Sequence, residues 1–208
     1  MPFAITFAEG AETAQERRGT AVFVTTPRGG EPLERLSVGA EILTRDAGPR
    51  KVVWLGRRLL SRDRLEGAPE LRPVRIRAGA LGPGLPERDL VVSPQTRVAF
   101  ADARTLRWFG PREVPIAGVH LTCFEGIEPE PAQDTTYIHP MFVGTQSINA
   151  EGVWLEAARV DDEELGDASN PMRQELLRLY PELVTLRGWS RAATRAMAQR
   201  QSVAPAGR

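Results

Sequence analysis

The side chains best suited to chemistry near neutral pH are few in this sequence: cysteine occurs once, at Cys123, and histidine twice, at His120 and His139. A lone thiol can serve as a nucleophile, and an imidazole as a general acid, base or metal ligand. Cys123 falls in the strand-like run Val119–Cys123, where a free cysteine reads as a small buried hydrophobe, and His120 lies in the same run. A single cysteine excludes an intramolecular disulfide and the thiolate cluster of a structural zinc site. Two histidines with no thiolate beside them do not make a metal site either, and each reads as a packed, hydrogen-bonded residue. The glycine-rich stretch from Gly79 to Gly84 lacks the Gly-Lys-Ser/Thr ending of a phosphate cradle and is followed by no strand-to-helix pattern. Its glycines suit tight β turns. No cofactor and no metal is implied.

The elements that must position these residues are short. From Thr20 to about Trp154 the chain breaks into brief apolar or alternating runs punctuated by Gly, Pro and Asp. The runs predict strands at Ala21–Thr25, Ala40–Thr44, Lys51–Leu55, Val74–Ala78, Leu90–Val92, Arg97–Phe100, Val119–Cys123 and Thr136–Ile138. Turn chemistry separates them at Pro27-Arg28-Gly29-Gly30, at Asp46-Ala47-Gly48-Pro49 and at Gly79–Gly84. No segment here sustains a 3.6-residue period over three turns, so the region reads as all-β. After Glu156 the composition changes. The acidic cluster Asp161, Asp162, Glu163 and Glu164 precedes Asn170-Pro171, a helix start signal. A helix is expected over Pro171–Leu179 and a second over Ser190–Gln201.

Bulk composition bounds the function. With 41% apolar and 26% charged residues in 208, the chain has the make-up of a globular domain plus an appendage. A net charge of +0 points to neither nucleic acid nor an anionic membrane. Lys51 is the sole lysine, every other basic residue being arginine. The N-terminus has no basic region leading into an apolar stretch, so it does not read as a signal peptide. No window approaches a membrane span. The expectation is a soluble protein, cytoplasmic or released without a signal peptide as part of a larger assembly. Arg187, Arg191, Arg195, Arg200 and Arg208 form an acid-free tail that reads as a solvated helix face, with an acidic partner or nucleic acid as the functional alternative.

Several blocks, in order, carry a resemblance. They are Thr26-Pro-Arg-Gly29 with Glu31-Pro-Leu-Glu-Arg-Leu36; Gly39-Ala-Glu-Ile-Leu-Thr-Arg-Asp46; and Gly48-Pro-Arg-Lys-Val-Val-Trp-Leu-Gly-Arg-Arg58. The long block from Leu71 to Pro94 follows, then Phe109-Gly-Pro-Arg-Glu-Val-Pro115, Tyr137-Ile-His-Pro-Met-Phe142 and Ala150-Glu-Gly152. Together they resemble the Hint domain family of many bacterial proteins, related to hedgehog autoprocessing domains and to inteins. The resemblance spans about residues 17 to 157. It implies a mainly β fold, a horseshoe of antiparallel strands with pseudo-twofold symmetry around a central cleft. The organisation expected is an N-terminal segment at 1–16, a Hint-like β domain at 17–157, and an acidic linker with a helical, basic C-terminal extension at 158–208.

The resemblance also implies a chemistry. A Cys, Ser or Thr at the head of the domain attacks the preceding peptide carbonyl, which requires an activated nucleophile, a proton donor for the leaving nitrogen and donors for the oxyanion. In the family the nucleophile opens a Cys-Phe-x-x-Gly-Thr motif, a His follows Ser-Pro-x, and an Asp and a His follow Tyr-x-His. Here the head of the motif falls on Arg17, with Gly-Thr on Ala21-Val22, or on Gln15 if Gly19-Thr20 is matched instead. Neither can attack a carbonyl. Thr20 is a substitute nucleophile only from inside the motif, and Cys123-Phe124-Glu125-Gly126 repeats its opening deep within the domain. Ser93-Pro94-Gln95-Thr96 places Thr96 where the family carries His, and a hydroxyl does not give up a proton near neutral pH as an imidazolium does. Val143, Thr145 and Gln146 stand where Asp, His and Glu are typical. His139 keeps the family's Tyr-x-His position and is a possible cleft residue.

The expectation is a Hint-fold structural or protein-binding module without self-cleavage chemistry, acting through a protein partner or self-association, with no membrane role and with nucleic acid disfavoured. Trp54, Trp108, Trp154 and Trp189 can anchor a core or an interface, core being expected for the first three. Only about 16 residues precede the domain, leaving little to release. The alternative is a residual autoprocessing domain that uses a hydroxyl nucleophile for an N-to-O acyl shift.

Overall fold

The computed structural model describes residues 5–7, 22–101, 113–142, 144, 146–159, 174 and 178. Among the described residues fourteen strands form two sheets that share a seam. They are β1 (Ile5–Phe7), β2 (Phe23–Thr26), β3 (Gly29–Pro32), β4 (Glu41–Thr44), β5 (Gly48–Lys51), β6 (Trp54–Leu60), β7 (Val74–Ile76), β8 (Leu90–Val92), β9 (Arg97–Phe100), β10 (Val114–Ala117), β11 (Ile127–Pro129), β12 (Thr135–Phe142), β13 (Gln146–Ala150) and β14 (Val153–Arg159). Two short helices interrupt them, α1 (Arg62–Gly67) and α2 (Gly118–Leu121). The Ser61 hydroxyl caps α1 by accepting from the Arg64 amide.

In the first sheet β11, β7, β8, β1, β12 and β6 lie side by side, each antiparallel to its neighbours. In the second, β13 pairs with β14, β2 and β4; β2 and β4 continue into hairpins with β3 and β5, and β14 pairs with β9, which pairs with β10. The seam is the parallel pairing of Met141 and Phe142 in β12 with Ala158 and Arg159 in β14. β12 is therefore flanked by β6 along one edge, and by β1 and then β14 along the other. Its residues from Tyr137 to Phe142 are all buried, as expected for a strand covered on both edges and both faces.

Local sequence explains the hairpins. β2 and β9 alternate half-buried and buried positions, as strands with one face on the core do. At the ends of β2 and β4 a buried threonine closes the turn onto a glycine carbonyl: Thr26 Oγ1 donates to Gly29 O and Thr44 Oγ1 to Gly48 O, both at 2.7 Å. Both glycines take positive φ, 112° and 64°, a conformation that a side chain would strain. Val22, Val24, Ile42, Val98, Ile148 and Leu155 belong to one apolar cluster that fills the space between these strands.

Four expectations are corrected. Lys51–Leu55 is not one strand, because the chain leaves β5 at Lys51 and enters β6 at Trp54 through the buried pair Val52-Val53. The Val52 amide donates to Ala40 O and the Val53 amide to Met141 O, so consecutive amides serve opposite sheets. Val119–Cys123 is not a strand. Its first residues form α2, because the Gly118 and Val119 amides donate to Thr96 O and Pro94 O, each at 2.9 Å. His120 is accordingly exposed on a helix, and Cys123 is exposed rather than buried. Trp54 and Trp154 are half-buried, with the Arg45 guanidinium 5.7 Å from the Trp154 ring centroid. Of the expected helix Pro171–Leu179, the described residues Gln174 and Arg178 are helical. The helix Ser190–Gln201, the arginines at 187, 191, 195, 200 and 208, Trp108 and Trp189 lie outside the described residues. Among the described residues no helix is long and apolar enough to cross a membrane.

Candidate functional site

The turn between β8 and β9 carries Thr96. Residues 93 to 96 close it, with the Thr96 amide donating to Ser93 O at 3.0 Å, and the two side chains repeat the link through a Ser93 Oγ to Thr96 Oγ1 hydrogen bond of 3.0 Å. Both residues are 0% exposed. α2 packs over the turn so closely that a Cβ on Gly118 would lie 3.2 Å from Val92 Cγ2 and 3.3 Å from Ser93 O. The position at which the resemblance expects an imidazole thus holds a hydroxyl, bonded to a second hydroxyl and shut off from water. A threonine hydroxyl does not titrate near neutral pH.

His139 lies on β12 opposite Gly56 of β6, at the point where the second edge of β12 passes from β1 to β14. It is 0% exposed. Burial pushes its imidazole down to about 3, since the charged form would lose its hydration. His139 is consequently neutral at physiological pH, and too weak a base to take a proton there. His120 lies three residues before Cys123 on an exposed segment, and the Cys123 thiol donates to His120 O at 3.5 Å. Neither belongs to the turn around Thr96. Gln146 opens β13, half-buried and opposite Ala157. Gln15, Arg17, Thr20, Val143 and Thr145 lie outside the described residues.

Two charged constellations have no counterpart in the sequence reading. Glu151, with its side chain 1% exposed, accepts from the Phe23 amide at 2.7 Å and takes a bidentate pair from Arg88, Nε at 2.9 Å and Nη2 at 3.1 Å. The Arg88 guanidinium lies 4.1 Å from the Phe23 ring centroid, so the pair is roofed by an aromatic face. Glu151 and Gly152 make the β13–β14 turn with φ of 50° and 79°, the left-handed pair that a two-residue hairpin requires. A Cβ on Gly152 would come within 2.8 Å of Leu85 Cδ2. The block Ala150-Glu-Gly152 is therefore a structural knot that joins β2, the 79–88 loop and the β13–β14 hairpin. A Glu-Gly dipeptide between two strand-length runs was the signal available for it.

The second constellation lines an open cleft of about 540 Å³ beside β7, β8 and β11. Arg75 bridges Asp89, at 3.0 Å, and the buried Glu130, while Arg77 pairs with Glu128 at 2.6 Å. Burial would raise the Asp89 carboxyl, but the Ala78 amide and the Arg75 guanidinium outweigh it and hold the group below its ordinary value. The carboxylates face arginines. Among the described residues no cluster of His, Cys, Asp and Glu could hold a metal ion.

Comparison with known proteins agrees with the blocks read from the sequence. No curated protein matches the chain. Among solved structures, the crystal structure of the gp41-1 intein is similar over 64% of this chain and 92% of its own, at 10% identity and a TM-score of 0.38. The family described as the Hint domain matches residues 17–162, well over half of the sequence and nearly all of the strands laid out above. The chain belongs to the Hint domain family.

Proposed function

We propose that this chain is a non-catalytic Hint-fold module that serves as a structural or protein-binding element. The observation that carries the reading is the closed Ser93–Thr96 hydroxyl pair. An acyl shift needs a proton delivered to the departing amide nitrogen, and the residue in the donor's place has neither the acidity nor the exposure to deliver one. His139 supports the same reading, because burial keeps it neutral in the middle of β12. At the head of the family motif, Arg17 or Gln15 supplies no nucleophile.

Intact mass tests this directly. The full chain, incubated for days at neutral pH with and without thiol or hydroxylamine, is expected to retain its 22.9 kDa mass. A product shortened at the N-terminus, and increased by either nucleophile, would overturn the reading in favour of autoprocessing.

A further inference from the structure

β1 comes from residues 5–7, ahead of the stretch that matches the family, yet it is an interior strand. It lies between β8 and β12, antiparallel to both. Ile5, Thr6 and Phe7 register with Ile138, Tyr137 and Thr136, and Ile5 also registers with Val92. On one side of it stands the three-strand unit β11-β7-β8, and on the other the rest of the sheet. In that ladder β1 is the link between them.

Each wall of this slot also pairs with a strand other than the one that fills it. Leu90, Val91 and Val92 are buried, as are Tyr137 and Ile138. β8 is held on its far edge by three registered pairs with β7, and β12 on its far edge by seven with β6. If the slot emptied, two facing rows of backbone N–H and C=O groups would lose their partners in apolar surroundings, which is unfavourable. The slot therefore selects an extended segment. Its present occupant is held by three registered pairs on one side and one on the other, few enough to be exchanged. Residues 8–21 separate it from Val22, and a chain of that length can reach up to about 50 Å when extended, far enough to enter a neighbouring molecule.

We propose that the slot between β8 and β12 is a docking site for an extended peptide, filled in cis by residues 5–7 and open to the same segment of a second copy of this chain. The interaction is strand addition, in which main-chain hydrogen bonds supply affinity and an identical slot in each copy makes the exchange reciprocal. The proposal rests on the binding-module reading and names its partner, and its test does not depend on whether any cleavage occurs.

Thr6→Pro in the full chain removes an amide from β1 and disfavours the cis strand. A fluorescent peptide of residues 1–12 is then titrated into the variant and into the unchanged chain. Saturable one-to-one binding to the variant, at least tenfold tighter than to the unchanged chain and absent for a scrambled peptide, is the expected result. No binding to a folded variant, or equal binding of the scrambled peptide, overturns the proposal. If Thr6→Pro does not fold, Phe7→Cys with Thr136→Cys in a Cys123→Ser background reads the same question, since directly opposed antiparallel positions can be bridged. Refolded and oxidised at rising protein concentration, that chain is expected to give a growing fraction of disulfide-linked dimer. Monomeric cross-links alone at every concentration overturn the proposal.

Discussion

The hydroxyls of Ser93 and Thr96 lie 3.0 Å apart, three residues from one another and wholly enclosed, so that each is the other's partner in a turn that also shares a backbone hydrogen bond. Either can be the donor. The arrangement is self-contained, and it is held from outside by the two amides that open α2. A turn of this kind gains stability from its own closure.

Breaking the pair one hydroxyl at a time should expose that stability. Ser93→Ala or Thr96→Val leaves a buried hydroxyl without its mate, and each is expected to lower unfolding free energy by about 1–3 kcal/mol. The double variant should lose less than the sum, with a coupling of about 1 kcal/mol, because both polar groups go together. Urea midpoints for the four chains measure it, and strict additivity would contradict the pairing.

Glu151 should be the most sensitive charged residue among those described. Glu151→Ala leaves the Phe23 amide without its acceptor and removes both bonds to Arg88, an expected loss of about 2–4 kcal/mol. Glu151→Gln keeps the acceptor for Phe23 and gives up the charge, so its loss should be smaller. Thermal unfolding of the two variants ranks them. Equal losses would mean that the carboxylate matters only through Arg88.

Acid sensitivity should carry the mark of His139. Its folded value is lowered to about 3 from an ordinary 6.5, so between those limits the unfolded chain binds a proton that the folded chain does not. Stability is thus fully present above about pH 6.5 and falls with acidification, by about 1.4 kcal/mol per pH unit from this group. His139→Gln should remove that component between pH 4.5 and 6.5, above the range in which Asp89, held low by Ala78 and Arg75, adds its own loss. Parallel stability curves for the two chains in that window would show that the imidazole is not kept neutral by the fold.

The sequence carried the strands marked by their own apolar runs, and lost those whose place is fixed from a distance. Leu90–Val92 and Arg97–Phe100 have the bounds expected from their apolar runs. Val119, Leu121 and Cys123 imitate a strand's two-residue period, but Leu121 alone of the three is buried. What sets that segment is the pair of carbonyls at Pro94 and Thr96, more than twenty residues away. Val114–Ala117 and Ile127–Pro129 were missed because they contain proline and little apolar alternation, and Gln146–Ala150 because it is largely polar. At the site, the neutral residue at position 96 was legible and its enclosure was not, since α2 arrives from elsewhere in the chain. The Arg88–Glu151 pair joins residues 63 apart with no local signature.

The knot at Glu151 changes how such sequences should be sorted. Its carboxylate is committed to Phe23 and Arg88, and its backbone to the hairpin. Those contacts give the block a mechanical role, fixing how the β13–β14 hairpin meets β2 and the 79–88 loop. Presence of the block thus vouches for architecture, while a test of competence belongs elsewhere, at the turn after β8 with its Ser93–Thr96 hydroxyl pair.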